Sequence, residues 1–180
     1  MPNHQTHDQI GAYAAAALLP ASYAVLTLAL DEPPAAAYSG ALVVICAHLW
    51  ATWMLSPDLD IDSAIYDRWG PFRWLWLPYQ KLIPHRSWFS HSGVSGALRL
   101  LYLGGALWCA LYLLGELGRV VFGLAGVPAY HEQFFAWLTG TLAAAGPRPV
   151  WLIVAGVVVA DMVHVTADLI TSEIKAFWRR

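Results

Sequence analysis

Four stretches of this chain each run for about twenty residues with little or no charge, and they narrow the folds open to it more than any other feature. They occupy residues 10–30, 35–55, 94–115 and 150–170. A bilayer core about 30 Å thick is crossed by about 20 apolar residues in a helix, because hydrocarbon does not tolerate unpaired backbone amides and carbonyls. The expected fold class is therefore all-α: a polytopic membrane protein built as a four-transmembrane-helix bundle. An interfacial loop lies between its second and third helices, and residues 1–180 form a single membrane domain. With 58% hydrophobic and 12% charged residues, the composition exceeds that of an ordinary soluble domain. Ten Trp and eight Tyr point the same way, since both side chains favour the headgroup level.

The ends of these stretches carry recognisable signals. Thr6 followed by Gln9 matches a capping box and sets His7 in a first helical turn. Asp31-Glu32-Pro33-Pro34 closes the first stretch and Ser56-Pro57 the second, because proline removes a donor and disfavours helix at the residue before it. The start MPNHQTHDQ lacks the basic opening and cleavage box of a signal peptide, so the first stretch is expected to remain in the mature protein.

Cations indicate sidedness. Segment 56–93 holds Arg68, Arg73, Lys81 and Arg86, and the tail holds Lys175, Arg179 and Arg180. The turn at 31–34 holds none, and 116–149 offers only Arg119 and Arg148. The positive-inside rule then gives a multi-pass inner-membrane (cytoplasmic-membrane) protein, with both termini and segment 56–93 in the cytoplasm. The aromatic and cationic run from Trp69 to Tyr79 is expected at the interface. Residues 129–145, with His131 and Glu132 near their start, read as a short amphipathic helix on the opposite face.

A net charge near −2 makes no electrostatic case for nucleic acid as a partner, which leaves the lipid bilayer. Cys46 and Cys109 each sit inside an apolar run and are expected to pack as small hydrophobes. Two cysteines are too few for a disulfide framework or a four-cysteine zinc site.

The chemistry-bearing residues come from four separate pieces of chain: His7-Asp8, the Pro57-Asp58-Leu59-Asp60 run, His85 with His91, and His164 with Asp168. His7 opens the first stretch, Asp58 and Asp60 follow the second, His85 and His91 precede the third, and His164 and Asp168 close the fourth. In an antiparallel bundle these positions share one face. His164 and Asp168 stand at i and i+4 on one side of a helix, with Asp161 joining at i−3.

Imidazoles and carboxylates together suit a divalent metal, zinc foremost, with manganese or iron also accommodated and room for more than one ion. The candidate ligands are His7, Asp58, Asp60, His85, His91, His164 and Asp168. A metal with an open position lowers the pKa of bound water to about 7. Asp60 or Asp8 is then placed to take a proton, and Arg86 to hold an anion. Arg99 either does the same or balances the carboxylates.

Each piece also has a plainer reading. Asp58, Asp60 and Asp62 can form an acidic turn, His164 and Asp168 an interhelical polar pair, and His85 with His91 part of a basic interfacial segment. Convergence from four pieces weighs against those readings jointly, and ionisable residues within apolar spans generally mark function. Ser87, Ser90 and Ser92 read as donors to the histidines rather than nucleophiles. His48, in mid-span, is expected in the core, and His131 at the surface of the opposite face.

Taken in order, H7-D8, P57-D58-L59-D60, H85-R86-S87 with S90-H91, and H164-x-x-x-D168 resemble the bacterial membrane-bound metal-dependent hydrolases of the YdjM type. Still closer is the resemblance to a related group of metal-binding membrane proteins with a loop like R68-W69-G70-P71-F72-R73-W74 through P78-Y79-Q80-K81. The order is also similar to that of the zinc phospholipase C and single-strand nuclease superfamily, all-helical phosphoesterases that more often carry Glu where Asp168 stands. The resemblance implies a metal-dependent hydrolase of a phosphoester or lipid-like substrate acting through metal-activated water. The alternative is a non-catalytic metal-binding or metal-handling membrane protein.

Overall fold

A computed structural model describes residues 4–123 and 129–178, the side chains of His4, Lys175 and Ala176 excepted; Arg179 and Arg180 lie outside the described residues. All regular structure among the described residues is helical. Helix α1 spans His4–Ala24 and continues as a wider turn over Val25–Ala29; α2 spans Pro34–Met54. A 3-10 turn at Pro57–Asp60, α3 at Ala64–Arg68, a second 3-10 run at Gly70–Trp76 and α4 at Leu77–Leu82 make up the loop. Then come α5 at Ser95–Val121, α6 at Tyr130–Ala145 and α7 at Pro147–Trp178.

Four segments, Gln5–Ala29, Pro34–Asp60, Ser95–Val121 and Pro147–Ile174, are long and apolar enough to cross a membrane. They match the four expected stretches and extend them. Thr6, expected as a cap, lies inside α1, which is already helical at His4. Ser56 is extended (φ −61°, ψ 154°) ahead of Pro57, the conformation that proline imposes on its predecessor and that ends α2. Gly146, at φ 73°, makes the reversal from α6 into α7.

The packing is uneven, which refines the expectation of a four-helix bundle. α2 and α7 form the tight pair, with α1 alongside both. The buried face of α2 is made of small residues, Ala37, Gly40, Ala41, Ala47 and Ala51, together with Val44 and His48. Opposite them, a Cβ on Gly156 would lie 2.3 Å from the Val44 carbonyl oxygen and 2.8 Å from Ala47 Cβ. Small side chains therefore let the two backbones touch, as interhelical contacts between apolar helices require. His48 is wholly buried, as expected, its Nε2 3.0 Å from the Gly11 carbonyl oxygen.

Helix α5 meets α7 mainly at its start, where a Cβ on Gly96 would fall 2.4 Å from Val157 Cγ1; its buried residues are Ser95, Gly96, Arg99 and Gly115. α6 folds back on α5 and buries His131 against the rings of Trp108 and Tyr112, 5.3 and 5.1 Å between centroids. His131 is thus not the surface residue expected from its place near a helix start. Cys46 and Cys109 depart the other way and are exposed. An apolar run identifies a helix without saying which flank faces inward.

The loop folds onto the ends of the helices instead of lying flat. Trp76 is fully buried among Trp69, Tyr79 and Tyr102, 5.2 to 5.7 Å away, and Trp69 Nε1 donates to the Met54 carbonyl at 2.8 Å. Phe72, Trp74, Leu77 and Leu82 stay exposed on its outer side. At the far end of the bundle, Arg148 forks onto Glu32 at 2.8 and 2.6 Å and holds its carboxyl below the ordinary glutamate range.

Gly156→Ala is expected to lower stability in detergent by about 1–3 kcal/mol through overpacking. Gly105→Ala, with nothing within 4 Å of the new Cβ, should be neutral or slightly stabilising; thermal unfolding by circular dichroism distinguishes them. The depressed Glu32 carboxyl stabilises the fold above its unfolded pKa, and that contribution is lost as pH falls through the folded value. The thermal advantage of the wild type over Glu32→Gln should therefore be fully present at about pH 7 and shrink progressively as pH is lowered below the ordinary glutamate range.

Candidate metal centre

The side chains expected to share one face do converge, each delivered by a different local device. His7 lies near the start of α1, and His164 and Asp168 lie one turn apart on α7. The 3-10 turn at Pro57–Asp60 is pinned by Ser63 Oγ, which donates to the Asp58 carbonyl at 2.8 Å, and by Gln80 Nε2, which donates to the Leu59 and Ile61 carbonyls at 3.2 and 2.9 Å. Residues two apart on so tight a turn diverge, so Asp58 faces His164 and Nε2 of His91, whereas Asp60 faces His85 and Nδ1 of His91. His85 and His91 come from the irregular segment before α5.

Asp58 Oδ1 lies 3.8 Å from His91 Nε2 and 3.7 Å from His164 Nε2. His164 Nε2 is also 3.8 Å from Asp168 Oδ2, and His7 Nε2 is 3.1 Å from Asp168 Oδ1. The rings of His7 and His164 stack with centroids 4.1 Å apart. Asp60 Oδ1 takes a 2.8 Å hydrogen bond from His85 Nδ1, while Oδ2 lies 3.4 Å from the Arg86 amide nitrogen and 3.6 Å from His91 Nδ1. Three overlapping groups can each hold an ion: His7, His164 and Asp168; Asp58, His91 and His164; Asp60, His85 and His91.

Two observations say that these donors suit a cation better than one another. The Nε2 atoms of His91 and His164 are buried without a hydrogen-bond partner, an arrangement that ordinarily costs about 1–3 kcal/mol per group. Separations of 3.7–3.8 Å are too long for hydrogen bonds and close to the spacing of about 3.4 Å that ligands sharing a tetrahedral zinc adopt. The other nitrogen of each ring meets a serine: Ser56 Oγ is 3.3 Å from His164 Nδ1, and Ser90 Oγ is 3.0 Å from His91 Nδ1. Such contacts fix ring orientation and leave Nε2 for a metal.

Charge leads to the same place. The side chains of Asp58, Asp60 and Asp168 are 18, 0 and 13% exposed. The fully buried cation nearby, Arg99, is committed to Asp161. Asp161 therefore does not join the ligand groups, and Arg99 is not free to bind an incoming anion. Its guanidinium also donates from Nε to the Leu55 carbonyl at 2.7 Å, and from a terminal nitrogen to the Ser90 carbonyl at 3.0 Å and Ser95 Oγ at 3.1 Å. Leu55 precedes Asp58 by three residues, Ser90 precedes His91 by one, and Asp161 precedes His164 by one helical turn. One side chain thus sets the spacing of three ligand-bearing elements. The arginine was visible in the sequence; this role, and those of Ser56 and Gln80, had no sequence signal.

Asp8 is engaged by Arg68, which also donates to the Trp53 carbonyl at 3.0 Å, and it enters none of the three groups. Arg86 is exposed, sits at φ 60° and lines a groove with His91 and Asp168. Among the described residues no carboxylate pairs with its guanidinium.

A family described as "Uncharacterized metal-binding protein (DUF2227)" matches residues 2–178. A protein of Aquifex aeolicus (strain VF5), itself described only as an uncharacterized protein, is 30% identical over 131 residues, which is 72% of this chain and 90% of the relative. No solved structure matches.

Arg99→Lys keeps the charge but cannot reach four partners. It is expected to weaken divalent-metal binding by about 10–100-fold, measured by chelator competition, and to alter the visible spectrum of a cobalt-substituted form. Unchanged affinity in a folded variant would assign Arg99 to helix packing alone.

Proposed function

Because the chain belongs to this family of metal-binding proteins, we propose that it is a multi-pass inner-membrane protein that holds a divalent ion, zinc foremost, and hydrolyses a phosphoester beside it. The observation that carries the reading is the pair of buried, partnerless Nε2 atoms on His91 and His164, both within 3.8 Å of Asp58, next to an open groove holding Arg86. The ligands in this reading are Asp58, His91, His164 and Asp168, with His7 reaching the ion through or beside Asp168. The resemblance of the residue order to that of YdjM-type hydrolases and zinc phospholipase C, read from the sequence, supports it, as do four apolar helices with broad exposed apolar surfaces.

A bound ion of this kind supplies activation of water at neutral pH. The chain's own residues do the rest. Arg86 holds the anionic ester oxygens. Asp60 orients His85 through the 2.8 Å hydrogen bond to Nδ1, which leaves Nε2 of that imidazole, at 34% the most exposed of the four in the cluster, to accept a proton. The oxygen of water bonds to phosphorus, the bond from phosphorus to the alcohol oxygen breaks, and His85 returns the proton to the leaving alkoxide. Asp8, held by Arg68, takes no part.

The low exposure of the ligand side chains, 7 to 18%, is the observation behind a second reading, a closed metal-handling site without turnover. Elemental analysis and assays on phosphomonoesters and phosphodiesters separate the two. His164→Ala should lose both ion and turnover. His85→Ala should keep the ion and lose about 10²–10⁴-fold in kcat. Stoichiometric metal with no turnover of any phosphoester would favour the second reading.

A further inference from the structure

The groove beside the ligand cluster has a mixed lining around a cavity of about 260 Å³: Arg86 and His91 come from the segment before α5, and one face of α7 contributes Asp168 and Ser172, which complete the polar wall, interleaved with Val165 and Leu169, which form the apolar one. It lies where the segment before α5 crosses α7: a Cβ on Gly93 would sit 3.1 Å from Met162 Cγ. Val165 and Leu169 belong to the apolar segment Pro147–Ile174, and Met162, Leu169 and Ile170 on the same stretch are 55, 62 and 54% exposed. In the membrane-integrated reading, the apolar wall therefore opens sideways toward hydrocarbon, while the polar wall stays at headgroup depth. Trp88 and Phe89, 65 and 54% exposed between Arg86 and His91, are the amphipathic and apolar rings expected at that depth.

Arg86 gives the polar wall its purpose. A non-glycine residue at φ 60° is strained, and such strain persists where the surroundings enforce it, often at ligand sites. Arg86 is the third residue of a turn closed by the Ser87 amide, which donates to the Pro84 carbonyl at 3.1 Å, and its own amide nitrogen lies 3.4 Å from Asp60 Oδ2. The guanidinium, exposed and without a carboxylate partner among the described residues, projects beside two ligand-bearing residues of the cluster.

We infer that this groove binds a membrane lipid that carries a phosphate. The phosphate pairs with Arg86 next to the metal site, and the acyl chain leaves along Val165 and Leu169 into the bilayer. A water-borne phosphoester would match the polar wall only, and nothing in its chemistry would use the apolar one. The inference rests on the membrane-integrated, phosphoester-hydrolysing reading, and names the class of substrate for it.

The test uses the full chain in phosphatidylcholine vesicles that contain a phosphatidic acid with a photoactivatable acyl chain. Labelling mapped by mass spectrometry is expected on the α7 peptide around Val165–Ser172. Arg86→Gln should reduce it at least about tenfold, and Leu169→Trp, which fills the groove, should do so with metal content retained as the folding control. Excess glycerol phosphate should compete poorly. In parallel, the ratio of phosphatidic acid turnover to glycerol phosphate turnover should fall about tenfold in Leu169→Trp.

Labelling spread evenly over the spans and indifferent to Arg86→Gln would overturn the inference, as would turnover of glycerol phosphate with no preference for the lipid. In the latter case the hydrolase reading stands. Labelling confined to the groove without turnover of either compound upholds the lipid site and removes the hydrolase.

Discussion

Arg99 and Asp161 have side chains 0 and 1% exposed and form an ion pair between α5 and α7. Taking two charges out of water is expensive, and the attraction offsets that cost only when the remaining donors and acceptors are also met. Here they are: Ser95 Oγ and the Gly96 amide donate to the Asp161 carboxylate, and the guanidinium reaches the carbonyls of Leu55 and Ser90. α5 otherwise contributes little buried surface to α7. The pair therefore both holds α5 to α7 at its start and brings together the end of α2, the His91 segment and the His164 turn. Loss of one partner strands a buried charge, which typically costs 3–5 kcal/mol.

The ligand cluster exists because this frame leaves it no other way to satisfy itself. Three carboxylates and four imidazoles crowd one end of the α1, α2 and α7 packing, and the one fully buried arginine beside them is already engaged. Buried carboxylates at such distances need positive charge beside them, from protonated imidazoles or from a bound cation. Hydrogen bonds take up part of the set: Asp60 with His85, and each of His91 and His164 with a serine through Nδ1. What remains is a small group of Nε2 and carboxylate atoms turned toward one another without a hydrogen bond between them. Rigidity here comes from the close α2–α7 contact at Gly156, and the groove is shared between α7 and the irregular segment before α5.

Much of this could be read from residue order. The four apolar stretches, the proline and glycine punctuation, and the i, i+4 pair of His164 and Asp168 depend on local rules of backbone and side-chain geometry. The convergence of His7, Asp58, Asp60, His85, His91, His164 and Asp168 followed from antiparallel connection alone, since alternate helix ends share a face. Local rules failed where a residue's partner lay far along the chain. Asp161 looked like a third ligand because it shares a face with His164 and Asp168, but Arg99, 62 residues away, claims it. Asp8 looked like a proton carrier beside His7, yet Arg68, 60 residues away, binds it.

The division has a physical cause. Helix length, helix ends and which residues leave each helix end are properties of contiguous chain, set by hydrophobic period, capping chemistry and proline, so the amino-acid order is enough to place seven candidate ligands at one end. Which carboxylate meets a guanidinium and which meets an imidazole depends on helix rotation and on approach distance. Those are set by side-chain packing at contacts such as Gly96 on Val157 and Gly156 on Val44, where a difference of one methyl group changes the answer. Folding thereby turned a list of His and Asp residues into separate roles: donors facing one another, carboxylates holding imidazoles, and an arginine setting the distances among them.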